Sequence, residues 1–218
     1  MASLCSVLLI GCNTVPKAVD TSAYRQHMPK SILVLPPINN SPEVRATYSF
    51  WPTVTIPVAE AGYYVFPLAL VDQTFKDNGV NTAADAQSIS TQKLQEIFGA
   101  DAGLYITITE YGSKYQVISS TTSVAANAKL VDLKTGELLW QGSKRQEVAN
   151  NNSQGGLVGM MVGALIEQIT NSLTDRGYGV SSIVSNQLFY PNLAVGNALL
   201  HGPRSPKYQA DGTTAIAK

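Results

Sequence analysis

Hydrophobic and polar positions change rhythm several times along this chain. Ser31-Ile32-Leu33-Val34-Leu35 is a continuous apolar run stopped by Pro36-Pro37, the pattern of a short strand buried on both faces. Asn39-Asn40-Ser41-Pro42 is a turn signal. From Leu104 to Tyr111 apolar residues alternate in part with threonines, which predicts a strand with one polar face. Gly112-Ser113 predicts a turn, Tyr115 to Leu133 a second long strand, and Glu137 to Gln146 a third. Lys134-Thr135-Gly136 predicts the tight hairpin between the last two, with Gly136 in the left-handed conformation.

Other stretches carry helical spacing. Tyr64, Leu68, Val71 and Phe75 fall on one helical face, predicting a helix that begins between Val58 and Pro67 and closes at Asn78-Gly79. The segment before it, rich in aromatics and prolines, reads as irregular. Ser90 is placed to cap a second helix through Phe98, with Leu94, Ile97 and Phe98 as its apolar side. Gly155 to Leu173 reads as a third helix and Val180 to Phe189 as a fourth. The order is strand, helix, helix, three-stranded meander, helix. It predicts one α/β (α+β) domain over residues 31–200, a mixed sheet with an antiparallel meander packed by helices. Residues 12–30 are polar, include Pro16 and Pro29, and read as a flexible tether with a reach of about 23 Å. Residues 201–218 read as a disordered tail.

Charge narrows the function classes. The chain has 15 Lys and Arg against 15 Asp and Glu, so its net charge is zero, and charged residues make up only 14%. It lacks the positive field that nucleic-acid binding needs. Two cysteines cannot build a disulfide scaffold or a four-thiolate zinc site. No metal site and no cofactor is expected.

The first cysteines have another use. Residues 4–10 are apolar but far too few to span a bilayer. Leu9-Ile10-Gly11-Cys12 at the end of that run resembles the bacterial lipobox. The resemblance implies cleavage of residues 1–11 as a signal peptide, a diacylglyceryl group on Cys12, and further acylation that holds the chain stably to a membrane. Asn13 in place of the aspartate that retains enteric-type lipoproteins in the inner membrane implies the outer membrane, facing the periplasm. No lysine or arginine precedes Lys17, a departure from the positively charged opening of such signals, and a start further upstream is expected.

Three stretches carry a wider resemblance: residues 32–37, Phe98-Gly99-Ala100-Asp101-Ala102-Gly103-Leu104-Tyr105-Ile106, and Leu130-Val131-Asp132-Leu133-Lys134-Thr135-Gly136-Glu137-Leu138-Leu139-Trp140. In sequence and order they are similar to the N-terminal domain of TolB and the periplasmic domain of the curli secretion lipoprotein CsgG. Phe66-Pro67 through Gly79 and residues 172–178 resemble more closely a family of outer-membrane lipoproteins of unknown function related to a Neisseria vaccine-candidate antigen. That resemblance covers roughly residues 9–203 and implies a TolB-N-like fold in an assembly or binding module, with envelope proteins, a CsgG-like lipoprotein among them, as partners. It assigns no catalytic residue. The paired amphipathic hairpins with which CsgG builds its pore have no counterpart in this sequence.

Two surfaces stand out. Gly155, Gly159 and Gly163 repeat every four residues and could let a second helix approach closely, as in a homo-oligomer. Their plainer use is packing against the sheet of the same domain. Tyr48, Phe50, Trp51, Tyr63, Tyr64 and Phe66 crowd a nearly uncharged segment and are the candidate partner surface, or else part of the core.

Enzyme signatures fail. Ser90-Thr91-Gln92-Lys93 and Lys134-Thr135-Gly136 match two elements of penicillin-binding serine enzymes, but the third is missing and too little chain separates them. Capping and the hairpin account for both. His27 and His201 lie in the expected tether and tail. The leading expectation is therefore a non-enzymatic binding or assembly subunit of an envelope or secretion complex. An activator of a cell-wall synthase is the alternative, and an uncharacterised hydrolase a distant third.

Overall fold

A computed structural model describes residues 21–115, 120–149, 176–191 and 199–208. The expected signal peptide, Cys12, and Gly155, Gly159 and Gly163 lie outside the described residues. A six-stranded mixed sheet organises the chain. Its strands are β1 (Ser31–Val34), β2 (Ile38–Asn39), β3 (Tyr64–Val65), β4 (Ala102–Tyr115), β5 (Ser120–Asp132) and β6 (Leu138–Ala149). The order is β3-β1-β4-β5-β6, and β2 continues the line of β1 along β4 beyond the two prolines. Pairings of β1 with β3 and of β1 and β2 with β4 are parallel. Those of β4, β5 and β6 are antiparallel. The meander and the fold class expected from the sequence are both present.

Helices are α1 (Ser22–His27), α2 (Ala46–Phe50), α3 (Thr55–Glu60), α4 (Leu68–Asp77), α5 (Ala83–Ser88), α6 (Thr91–Phe98) and α7 (Arg176–Phe189), with a 3₁₀ turn at Trp51–Val54. Ser90 caps α6 by accepting from the Lys93 N–H at 3.3 Å. Gly99 ends it in the left-handed conformation. The helix α7 packs on β4, β5 and β6 and against α2, the 3₁₀ turn and α3. Buried Ser185 and Thr53 join across this contact at 2.7 Å, and the Trp51 indole N–H donates to the Val34 carbonyl at 3.1 Å.

Several expectations need correction. Tyr64 belongs to β3, not to a helix. Pro67 disfavours helical backbone at Phe66, so α4 can start only after it. The segment read as irregular is mostly helical (α2, the 3₁₀ turn and α3). Pro52 and Pro57 sit in the opening turns of their helical elements, where a missing N–H costs nothing. β4 runs through Gly112 and Ser113 to Tyr115 instead of turning there. Helix α5 has too few apolar positions to show a period.

Both flanks are also more ordered than expected. Residues 22–27 of the expected tether form α1, with Tyr24 buried. Residues 199–208 of the C-terminal stretch lie against the turn after α3. The N–H groups of Gly202 and Arg204 donate to the Ala61 and Gly62 carbonyls at 2.8 and 3.0 Å. The Tyr63 hydroxyl donates to the Leu200 carbonyl at 2.6 Å. These contacts are made largely by backbone groups, which leave no mark on composition.

Candidate functional site

Side-chain alternation in the meander produces two unlike faces. One carries Leu104, Ile106, Ile108, Val124, Ala126, Leu130 and Trp140, all buried. α7 covers that face: Trp140 meets Phe189 with ring centroids 6.1 Å apart. Strict alternation would carry Tyr111 to the opposite face from Ile108. A bulge between Ile108 and Glu110 adds one residue to β4, and Tyr111 returns to the buried side.

The opposite face carries Tyr105 and Thr107 from β4, Asn127 and Lys129 from β5, and Gln141 and Ser143 from β6. Register places Thr107, Asn127 and Ser143 in one row across the strands, and Tyr105, Lys129 and Gln141 in the next. They line an open groove of about 810 Å³, walled on one side by Ile38 and by Ala84, Gln87 and Ser88 around α5. The wall is pinned: the Gln87 side-chain amide donates to the carbonyls of Pro36 and Ile106, both at 2.9 Å. The Lys129 ammonium lies 5.1 Å from the centre of the Tyr105 ring. Burial holds the Tyr105 phenol above its ordinary pKa, so it stays protonated at neutral pH.

Polar groups next to the groove pair with each other. Arg145 bonds Glu110 at 3.0 Å and Glu147 at 2.7 Å, and those two carboxylates keep its guanidinium pKa raised. Inside the groove the pattern reverses. Among the described residues, the side chains of Thr107, Asn127, Gln141 and Ser143 have no hydrogen-bond partner.

A second cluster sits at the end of the β5–β6 hairpin. Nδ1 of His27, on α1, is 3.0 Å from Asp132, and its Nε2 is 2.9 Å from Glu137. Asp132 also accepts from the Lys134 and Thr135 N–H groups and the Thr135 hydroxyl, at 3.0, 2.7 and 2.9 Å. Partial burial pushes its carboxyl pKa up, but the Thr135 hydrogen bonds and the nearby His27 outweigh this and leave it below the ordinary value. Asp101 accepts from the Lys30 and Ser31 N–H groups at 2.8 and 3.0 Å. These contacts fasten α1 to the sheet. Among the described residues both nitrogens of His27 meet carboxylates, and these contacts hold the ring in position.

The six aromatic candidates divide. Phe50, Trp51 and Tyr63 are core residues, no more than 3% exposed. Phe66 is partly buried and packs edge-on to Tyr64 and Phe98. Tyr48 and Tyr64 remain exposed, at 57% and 40%, so the six do not form one surface. Ser90 and Thr135 serve as helix cap and turn residue. The groove residues escaped sequence reasoning because alternation shows which positions are polar but not which lie side by side across strands.

Among the described residues no helix is long and apolar enough to cross a membrane. No group of three or more His, Cys, Asp or Glu is placed there to hold a metal ion. Residues 19–204 match the family described as "Putative lipoprotein GNA1162-like". The chain belongs to that family. It is 47% identical over 203 residues to the protein described as "Putative lipoprotein NMB1124/NMB1162" of Neisseria meningitidis serogroup B, covering 92% of this chain and 94% of that one. The crystal structure of lipoprotein GNA1162 from Neisseria meningitidis superposes with a TM-score of 0.56 at 51% identity, over 66% of this chain and all of that one. A PelC dodecamer structure from Paraburkholderia phytofirmans matches at 12% identity and a TM-score of 0.43, over 72% and 83% of the two chains. Nothing in the family's description names a catalytic activity.

Proposed function

We propose that this chain is an outer-membrane lipoprotein, held by acylated Cys12 and facing the periplasm, whose domain acts as a non-enzymatic binding or assembly subunit of an envelope complex. Membership of a lipoprotein family across residues 19–204 carries the reading. Gly11-Cys12 behind an apolar run supplies the attachment point and Asn13 the outer-membrane destination. Exposed Tyr48 and Tyr64 are the members of the aromatic segment left to meet a protein partner. Gly155, Gly159 and Gly163 are the proposed contact between copies. The domain serves as a docking body, and α1 joins it to the anchored end.

Metabolic labelling with an alkynyl palmitate, followed by membrane separation, tests this directly. The wild-type chain takes up label and sediments with the outer membrane. Cys12→Ser takes up none and leaves that fraction. An unlabelled wild-type chain, or wild-type and Cys12→Ser chains found together in the soluble fraction, would overturn the proposal.

A further inference from the structure

We infer that the groove on the open face of the meander binds a glycan: an uncharged oligosaccharide strand rich in hydroxyl and acetamido groups. The contrast within one sheet face carries this. Outside the groove, Arg145, Glu110 and Glu147 satisfy one another. Inside it, the side chains of Thr107, Asn127, Gln141 and Ser143 are unpartnered among the described residues, on a stretch of the ladders that lies between the two bulges, at Ile108/Glu110 and Leu130/Val131. Two amides and two hydroxyls can each donate and accept, and a sugar strand offers the same mixed chemistry from its own hydroxyl and amide groups. The row Thr107, Asn127, Ser143 crosses three strands, so its members are spaced by about 4.8 Å, close to the length of one pyranose unit. Successive sugars can therefore meet successive side chains.

Other occupants fit less well. A protein partner needs aromatic or large aliphatic anchors at the centre of its site. The apolar contributors here are Ile38, Ala84 and Ala128, and Tyr105 lies beneath Lys129. An extended peptide needs a strand edge with free backbone groups, whereas the groove floor is the face of paired strands. A polyanion needs a cluster of cations. Lys129 is the cation lining the groove, and neighbouring Arg145 is engaged by two carboxylates. One cation among otherwise uncharged lining residues does not make the field a polyanion needs, and uncharged polar groups predominate on the floor. An envelope location would supply such a ligand, but the binding chemistry is independent of how the chain is anchored.

Calorimetric titration of the full chain in detergent with chitohexaose, a neutral acetamido sugar, tests the inference. Polygalacturonate hexamer and an uncharged hexapeptide serve as comparison ligands. Chitohexaose binds saturably at one site per chain. The double variant Asn127→Ala/Gln141→Ala weakens it at least tenfold with an unchanged melting temperature, and Lys93→Ala on α6 leaves it unaltered. Absence of saturable chitohexaose binding overturns the inference. So does binding that survives the double variant, or tighter binding of the acidic sugar or the peptide. None of these outcomes bears on the Cys12 labelling result, so the two proposals fail separately.

Discussion

β1 and the meander belong to one sheet but meet different surroundings. On β1, Ile32 and Leu33 point to opposite faces, and both are fully buried. On β6 the alternation is clean: Gln141, Ser143, Arg145 and Glu147 are exposed, while their neighbours are at least partly covered. β1 is covered on both sides, and its sequence from Ile32 to Leu35 is accordingly apolar without interruption. Among the described residues α7 covers one side of the antiparallel half, and the other side carries exposed Asn127, Lys129, Gln141 and Ser143. Burial on both faces and burial on one face thus fall to different parts of the sheet, and substitutions should sort the same way.

The largest effect is expected in the parallel half. Leu33 is fully buried in the central strand, and Leu33→Ala should cost about 4 kcal/mol, as lost transfer energy plus an unfilled cavity. Urea denaturation followed by far-UV circular dichroism reads this as a lower midpoint with an unchanged slope. A cost below about 1 kcal/mol would place β1 nearer solvent than the structure shows.

Next comes the covered face of the meander. A Cβ added at Gly142 would lie 2.6 Å from Trp140 Cζ2 and 3.0 Å from Leu188 Cδ1. Gly142 lets α7 approach β6 closely. Gly142→Val should therefore destabilise by about 2 kcal/mol through overpacking, measured in the same denaturation series. An unchanged midpoint would mean that α7 does not press on β6 at this point.

These two positions show how differently the halves were legible. The run Ile32 to Leu35 announces a buried strand by itself, because burial on both faces leaves one pattern. Gly136, with φ +78°, announces its turn because few residues tolerate that backbone. Gly142 gives no warning: its meaning depends on Leu188, far away in the chain, and on the bulge between Leu130 and Val131 that sets the register of β6. The groove was hidden for the same reason. Thr107, Asn127 and Ser143 each read as an ordinary solvent-facing residue until pairing sets them in a row. His27 was hidden more deeply, since its carboxylate partners are 105 and 110 positions along the chain.

The hairpin cluster adds a pH dependence to this contrast. Asp132 has a depressed pKa in the folded chain, so the folded state binds its proton less readily than the unfolded state does. Its contribution is fully present above the ordinary carboxylate value and is lost as pH falls through the lower, folded value. The melting temperature should drop across that acid window. Asp132→Asn should lower it at neutral pH and flatten the acid limb, while Glu60→Gln, at an exposed position, should change neither. An acid limb of equal steepness in Asp132→Asn would assign the loss to other carboxylates.

The smallest expected effect is on the open face, and it is the sharpest test of the division. Ser143 is exposed and has no hydrogen-bond partner among the described residues. Removing its hydroxyl leaves no buried group unsatisfied and opens no cavity. Ser143→Ala should thus stay within about 0.5 kcal/mol of wild type, the range for surface positions away from special features. The same substitution at Ser185, buried and bonded to Thr53, should cost about 1 kcal/mol by removing a buried hydrogen bond, while the Thr53 hydroxyl keeps its bond to the Phe50 carbonyl at 2.6 Å. If Ser143→Ala proved as costly as Ser185→Ala, the hydroxyl would be part of the domain's own stability, and the open face could not be a surface kept free for a ligand.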